Sequence, residues 1–341
     1  MSETNQAQDL SPRPLMRILG DFANSQILDA SIEYDFFTLI HNGHQTAEQV
    51  ARQAGTDARA TRIVLDSLPA LGLVEKRGGK YLLTPTAEVF LVKGKPSFVG
   101  DFRHVALALW DGMANLKESL KTGKPLSRLD TGTELQVWEK LVLGIIVIAE
   151  PAAKALCDLL KIGNERNALK ILDIAGGSSI FGMTILGRDP SAQVTQLDWP
   201  NVNAVAKKLN RERGLDGKIR FIDGEHHSAV IEASHYDLVL ASNFCRFESP
   251  AGNQNLFAKA YSALKSGGIF VVNDFVPNEE RTEPTFALRF SVYTLTHTPE
   301  GECWTFSQYS DWLNKAGFSA IETHGDIPKT LPGTTLIIAR K

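Results

Sequence analysis

The chain has 341 residues, a formal net charge of −3 and a sequence pI near 6.3. With 43% hydrophobic and 22% charged residues, it reads as a soluble, cytoplasmic globular protein of two or three domains, long enough to bury a core without staples. The near-neutral balance argues against a dedicated nucleic-acid binder, no window supplies the ~20 apolar residues of a membrane span, and the polar segment Met1–Asp9 does not read as a signal peptide. Cys157, Cys245 and Cys303 are too few and too scattered for a disulfide framework or a zinc site, so no metal is expected.

Residues 1–11 read as a disordered tail, and Arg17 to Ile40 shows helical spacing. Thr46 caps a short helix that Gly55 stops, and Asp57 caps another with Ile63, Leu65, Leu68 and Leu71 on its apolar face and Gly72 at its end. Leu73 to Thr84 reads as a hairpin turning at Gly78 and Gly79. Helix, turn, helix and β-wing make a winged-helix module. Arg59, Arg62, Lys76, Arg77 and Lys80 invite a DNA-binding reading, but Asp57 and Asp66 offset them, and a scaffold or dimerisation role fits better. Further helices follow at Phe98–Leu109, Asp111–Leu120 and Glu134–Leu160. Leu141–Ile148 is apolar almost all round, which predicts burial, with a subunit interface as the expected place.

Near residue 165 the chain changes to alternating strand and helix patterns, the mark of an α/β domain with a mainly parallel sheet. The strand Ile171–Ile174 runs into Ala175-Gly-Gly-Ser-Ser179 and a helix from Ile180. Glycines there let a ligand approach the backbone, and the helix start offers free N–H groups. A second strand, Gln193–Leu197, ends in Asp198, placed to accept hydrogen bonds from ribose hydroxyls or to cap the next helix. A helix at Val202–Arg213, strands at Lys218–Ile222 and Tyr236–Ala241, a helix at Asn253–Leu264, a turn at Lys265–Gly268 and a strand at Ile269–Asn273 complete a nucleoside-binding sheet without the G-x-G-x-x-G spacing.

The stretches Ile171–Gly182, Leu197-Asp-Trp-Pro200, Tyr236–Asn243, Ala263–Gly268, Asp274–Asn278 and Thr298-Pro-Glu-Gly301, with Trp312 and Ala316-Gly-Phe318, resemble the S-adenosylmethionine-dependent small-molecule O-methyltransferase family, its acetylserotonin-type bacterial branch most of all. The resemblance implies a Rossmann-like methyltransferase domain at 166–341, connecting helices at 106–165 and a mostly helical winged-helix dimerisation domain at 1–105. It also implies that Asp173, Gly176, Gly177 and Ser179 hold the methionine end of the cofactor, Asp198 and Trp199 the ribose, and Gly224, Glu225 and His226 the adenine. Ser242 and Asn243 would close the sulfonium side, and Thr285–His297 would roof the substrate cavity of a homodimer.

Two departures from the family stand out. Ser179 occupies a position where glycine is usual, and a positive φ there would strain it. The family's catalytic histidine falls on Arg246, or on Cys245 or Phe247 with a one-residue shift, and one of its two flanking acids falls on Cys303 while the other matches Asp274. His297 and Cys245 are the candidate substitutes for the base. A missing base suits an acceptor that needs no deprotonation; Arg289, Tyr293 and His297 share one helical face, and Arg246 with Arg289 would grip the carboxylate of a small anion. That combination resembles S-methyltransferases of 4-methylthio-2-hydroxybutyrate, on the route to dimethylsulfoniopropionate. The alternatives are O- or N-methylation of an aromatic metabolite and a methyltransferase fold with a non-methylating or sensing role.

Overall fold

The computed structural model describes residues 11–126, 128 and 135–341. Residues 1–10 of the expected tail and the expected helix start at Glu134 lie outside the described residues. The chain divides into two compact units, Met1–Arg103 and His104–Lys341.

The first unit is built from α1 (Arg13–Gly20), α2 (Phe22–Glu33), α3 (Phe36–His41), α4 (Ala47–Ala54), α5 (Ala58–Ser67), the hairpin β1 (Val74–Arg77) and β2 (Lys80–Leu83), and α6 (Pro85–Phe90). The helical pattern over Arg17–Ile40 is broken into three helices, because Asp21 and the left-handed Asp35 interrupt it. Local chemistry accounts for the rest. Thr46 Oγ1 accepts from the Gln49 N–H while Gln49 Oε1 accepts from the Thr46 N–H, closing a capping box on α4. Asp57 Oδ1 accepts from the Ala60 N–H at 2.8 Å and caps α5. Phe36, Phe37, Ile40, Val50, Leu65, Leu68, Val74 and Tyr81 form the core. Asp66 pairs with both Arg62 and Lys76, and Glu75 pairs with Arg77, so three of the five basic residues that invited a DNA reading are tied to a carboxylate.

The second unit starts with α7 (Arg103–Ala114), α8 (Leu116–Thr122) and α9 (Leu135–Leu159). It continues through β3 (Lys170–Ile174), α10 (Ile180–Arg188), β4 (Gln193–Asp198), α11 (Pro200–Glu212), β5 (Ile219–Asp223), β6 (Tyr236–Ser242), α12 (Pro250–Ala263), β7 (Leu264–Phe275), α13 (Thr285–His297), α14 (Phe306–Ala316), β8 (Ser319–His324) and β9 (Thr334–Arg340). The seven-stranded sheet has the order β5-β4-β3-β6-β7-β9-β8. Strands β3 to β7 run parallel, and β9 and β8 close the edge antiparallel.

Strand alternation decides which side chains go where. Ile171, Leu238, Leu240, Ile269, Val271, Leu336 and Ile338 face one core with α9 and α10, while Leu172, Ile174, Val239, Ala241, Phe270, Val272, Ile337 and Ala339 face the other with α12 and α14. Both faces are covered, which is why the strands read as continuous apolar runs. The expected turn at Lys265–Gly268 is instead a bulge inside β7: a two-residue step from Tyr236 to Leu238 on β6 spans Leu264 to Ile269 on β7.

Helix α9 is buried in part within its own chain. Leu141, Val142, Ala149, Ala152, Ala153 and Leu156 are buried within the single chain, and the last four pack with Ile171 and Leu238 in the first core. Within Leu141–Ile148 itself, Leu141 and Val142 are buried, while Leu143, Ile145, Ile146, Val147 and Ile148 stay partly exposed. Among the described residues, no helix is long and apolar enough to cross a membrane.

Candidate functional site

The strand order reverses at β3, whose neighbours β4 and β6 lead away in opposite directions. In such sheets a crevice opens beyond the carboxyl ends of the strands at that point. A cleft of about 920 Å³, counting its open mouth, lies there. It is lined by residues that follow β3, β4, β5 and β6, with Trp138, Val142, Ile145 and Ala149 of α9 forming a further wall.

Gly176, Gly177, Asp198, Trp199, Gly224, His226, Ser242 and Asn243 all line this cleft. Asp173 is buried at the end of β3 beneath it, and a Cβ on Gly176 would stand 2.9 Å from the Asp173 carboxyl carbon. Ser179 is buried at the start of α10, and Glu225 sits in the loop after β5.

The turn after β3 is conformationally tight. Ala175, Gly177 and Ser179 have φ values of 54, 57 and 65°. Left-handed backbone is free for Gly177 but costs a residue with a Cβ about 1–2 kcal/mol, so Ser179 is in the strained state that its position warned of. It has a compensating contact: its hydroxyl donates to Gln196 Oε1. Ala175 has no polar side chain to repay its strain. Ala175→Gly therefore raises stability by about 0.5–1 kcal/mol once the added freedom of the unfolded chain is subtracted, which a urea midpoint measurement checks.

Behind the turn stands a polar network that sequence reading missed. Gln196 Nε2 donates to the Gly177 carbonyl and to Asn203 Oδ1, both at 3.1 Å. Asn203 Nδ2 donates to Asp223 Oδ1 at 2.7 Å and to the Ile222 carbonyl at 3.0 Å. The two amides tie the first turn to β4, α11 and β5. The only signal for them was a polar residue in an apolar strand and another on a helix face, and neither has a motif.

Two carboxylates set the electrostatics. Asp198 accepts from the Gly177 N–H at 2.8 Å and the Trp199 N–H at 2.7 Å. Burial still lifts its pKa to about 6 against those two bonds. Asp173 is more exposed to the cost of burial. Neither of its carboxylate oxygens has a hydrogen-bond partner among the described residues, and burial, reinforced by the nearby Asp198, pushes its pKa up to about 8. A carboxylate left in this state calls for a cationic donor from a ligand.

The four residues proposed to carry the chemistry do not form one constellation. The Arg246 guanidinium is buried, pairs with Asp274 at 2.6 Å, and lies 4.5 to 4.8 Å from the ring centres of Phe247, Phe275 and Phe290. Its charge is already neutralised, so it is not a free anion grip. Arg289 is exposed on α13, Tyr293 is partly buried, and His297 is fully buried. His297 Nδ1 lies 2.8 Å from Thr296 Oγ1 and 2.9 Å from the Tyr293 carbonyl, and its ring packs against Gly112 of α7, where a Cβ would stand 2.2 Å from it. It is a packed core histidine rather than a base lining the cleft. Cys245 fails as a base for a related reason: burial, followed by the Asp274 charge, raises its thiol pKa well above the ordinary range. The same burial lifts Cys303 to about 12.

The cleft contains aromatic walls instead. Trp138 sits edge-on to Trp199 and Phe247, with ring centres 5.8 and 6.0 Å apart, and Phe181 and Phe244 add further apolar surface. Fold and cleft together define a doubly wound α/β domain with a ligand-sized crevice at its topological switch point.

Comparison with known proteins identifies the family. A profile described as an O-methyltransferase domain matches residues 155–319, and one described as an O-methyltransferase dimerisation domain matches residues 16–93. A 3-hydroxy-5-methyl-1-naphthoate 3-O-methyltransferase of Streptomyces sahachiroi is 26% identical, with 92% of this chain and 91% of that protein aligned. An L-tyrosine C(3)-methyltransferase of Streptomyces lavendulae is 27% identical over 93% of this chain and 89% of its own length. The structure of human N-acetylserotonin methyltransferase in complex with S-adenosylmethionine superposes with a TM-score of 0.84 at 21% identity, covering 98% of this chain and 99% of that one. The chain belongs to the S-adenosylmethionine-dependent methyltransferases of the O-methyltransferase family, with S-adenosylmethionine as cofactor. The orphaned Asp173 carboxylate fits a ligand that carries an ammonium group.

Proposed function

We propose that this protein methylates a small aromatic metabolite at an atom that needs no protein base, such as an amine nitrogen or a hydroxyl already ionised in solution. The observation that carries this reading is the state of the positions where the family's histidine would fall. Arg246 is held by Asp274, and Cys245 is a buried, high-pKa thiol. Neither can accept a proton at neutral pH. The aromatic walls of the cleft suit a flat acceptor, and the names of the relatives include transfers to a naphthoate hydroxyl and to a tyrosine ring carbon.

Bound S-adenosylmethionine supplies an electrophilic methyl group on its sulfonium. In this reading Asp173 takes its ammonium, and the backbone at Gly176, Gly177 and Ser179 cradles the amino-acid end. Asp198 and Trp199 take the ribose, Gly224, Glu225 and His226 flank the adenine, and Ser242 and Asn243 close the sulfonium side. Aromatic walls then hold the acceptor in line, so that positioning supplies the rate. The assembly is a homodimer in this reading, supported by the dimerisation-domain match and by the exposed apolar side chains Leu15, Met16, Ile18, Leu19 and Phe22.

Transfer to the thioether sulfur of a 4-methylthio-2-hydroxybutyrate-like acid is the second reading. The missing base favours it equally, but the anion grip it relied on has lost Arg246 to Asp274. Incubation with aromatic amines, phenols and thioether acids, read by mass for one added methyl group, separates the readings. Aromatic products are expected. Exclusive methylation of the thioether acid would reverse the order.

The pH dependence follows. With both substrates saturating and an acceptor that does not itself titrate in the range, kcat is flat from about pH 6.5 to 9, because no protein base must lose a proton. By contrast kcat/KM for the cofactor climbs towards a plateau above about pH 8, where Asp173 of the free enzyme is ionised. A limb in kcat near pH 6.5 that survives saturation would contradict a base-free mechanism.

A further inference from the structure

We propose that His226, His227 and Glu248 form a binding site for a divalent transition-metal ion of the zinc class at the wall of the cofactor cleft. One ligand atom from each of the three residues lies within 4.8 Å of the others. His226 Nε2 stands 3.2 Å from Glu248 Oε1, and His227 Nε2 stands 2.9 Å from Glu248 Oε2. Donors held about 2.0–2.1 Å from zinc at tetrahedral or octahedral angles are roughly 2.9–3.4 Å apart, so both pairs already have the separation that an ion would impose.

A second, independent observation points to a ligand. The His226 side chain is only 10% exposed, and its buried Nε2 faces Glu248 Oε1 at 3.2 Å, so an imidazole nitrogen and a carboxylate oxygen are already turned toward a shared space out of bulk water.

The scaffold is set in advance. Lys259 Nζ donates to the carbonyls of His226, His227 and Ala229 at 2.6 to 2.9 Å, which fixes the loop that carries both imidazoles. Gly252 leaves room for the carboxylate, because a Cβ there would meet Glu248 Oε2 at 2.2 Å. Phe244 packs edge-on to the His226 ring at 4.6 Å and holds its orientation.

The donor set selects the ion. Two imidazole nitrogens and one carboxylate suit zinc, cobalt or nickel and not calcium or magnesium, which prefer oxygen shells. Three protein ligands leave at least one position for water. The ion would join the loop after β5 to the start of α12, two segments that both contribute to the cleft wall. The sequence did not suggest this site, because His227 lies 21 residues before Glu248, with His226 one further back, and the three match no ligand spacing.

The test is cobalt titration of the full chain, prepared without a polyhistidine tag and stripped by chelator. One Co²⁺ per chain is expected, with visible d–d absorption, a raised melting temperature and displacement by Zn²⁺. His227→Ala and Glu248→Gln, each with the far-ultraviolet dichroism of the wild type, should weaken binding at least about tenfold and lose the thermal gain. Absence of stoichiometric uptake, or equal affinity in wild type and both variants, would overturn the site, whatever the methyl acceptor proves to be.

Discussion

Asp173→Asn should remove binding of S-adenosylmethionine and S-adenosylhomocysteine while making the apo-protein more stable. The wild-type carboxyl is buried, has no hydrogen-bond partner and sits near Asp198. Folding raises its pKa from about 3.9 to about 8, so the native state holds one more proton than the unfolded chain between those values. The sign follows from linkage: stability associated with this group is full below about pH 4 and is lost as the pH rises through about 8. Asparagine has the shape of the protonated form without its titration. The variant and the wild type should therefore melt together near pH 4–5, and the variant should melt several degrees higher at pH 8, measured by calorimetry.

Binding should show the opposite. A ligand ammonium favours the ionised carboxyl, so cofactor binding at pH 7 releases close to one proton, visible as buffer-dependent enthalpies in titration calorimetry. Removing one partner of a buried charge pair costs about 3–5 kcal/mol, which corresponds to an affinity loss of roughly 10²- to 4 × 10³-fold. An asparagine variant that binds S-adenosylhomocysteine within a few-fold of wild type would remove Asp173 from the site.

Arg246→Ala should destabilise the second unit by about 3–5 kcal/mol, because it strands a buried carboxylate. Asp274 accepts from the Arg246 guanidinium at 2.6 Å, from the Arg246 and Phe275 backbone N–H groups at 2.9 and 2.8 Å, and from the Tyr309 hydroxyl at 3.2 Å. The three phenylalanine rings around the guanidinium exclude water from the pair. Burial, followed by the Asp274 charge, keeps the Tyr309 hydroxyl neutral by raising its pKa well above the ordinary value. A loss of about ten degrees in melting temperature is expected. The double variant Arg246→Leu with Asp274→Leu should recover much of it, since an apolar pair leaves no charge unpaired. If Arg246→Ala instead left stability intact and raised KM for an anionic acceptor, the guanidinium would be a substrate contact after all.

The parts of the fold that depend on local chemistry were legible in the sequence. Thr46, Gly55 and Asp57 punctuate α4 and α5 as their side chains and backbone require, Gly72 ends the 3₁₀ turn Leu68–Leu71 that follows α5, and Gly78 with Gly79 closes the hairpin. The strands ending at Ile174, Asp198 and Ser242 were visible as apolar runs that meet turn residues. Since a parallel sheet collects its strand ends on one side, their loop residues had to converge, and they do so around one cleft.

What tertiary structure alone decided is the electrical state of each charged or titratable side chain. Arg246 and Arg289 looked interchangeable as cations, but one is buried against Asp274 and the other is exposed. His297 looked available, but Gly112 and Tyr293, distant and near in sequence, hold it in the core. His226, His227 and Glu248 had no common motif until β5, β6 and α12 brought their loops together. Periodicity and turn chemistry act over a few residues and can be read along the chain. Burial and charge pairing depend on neighbours tens of residues away, and only the folded chain fixes which neighbours those are.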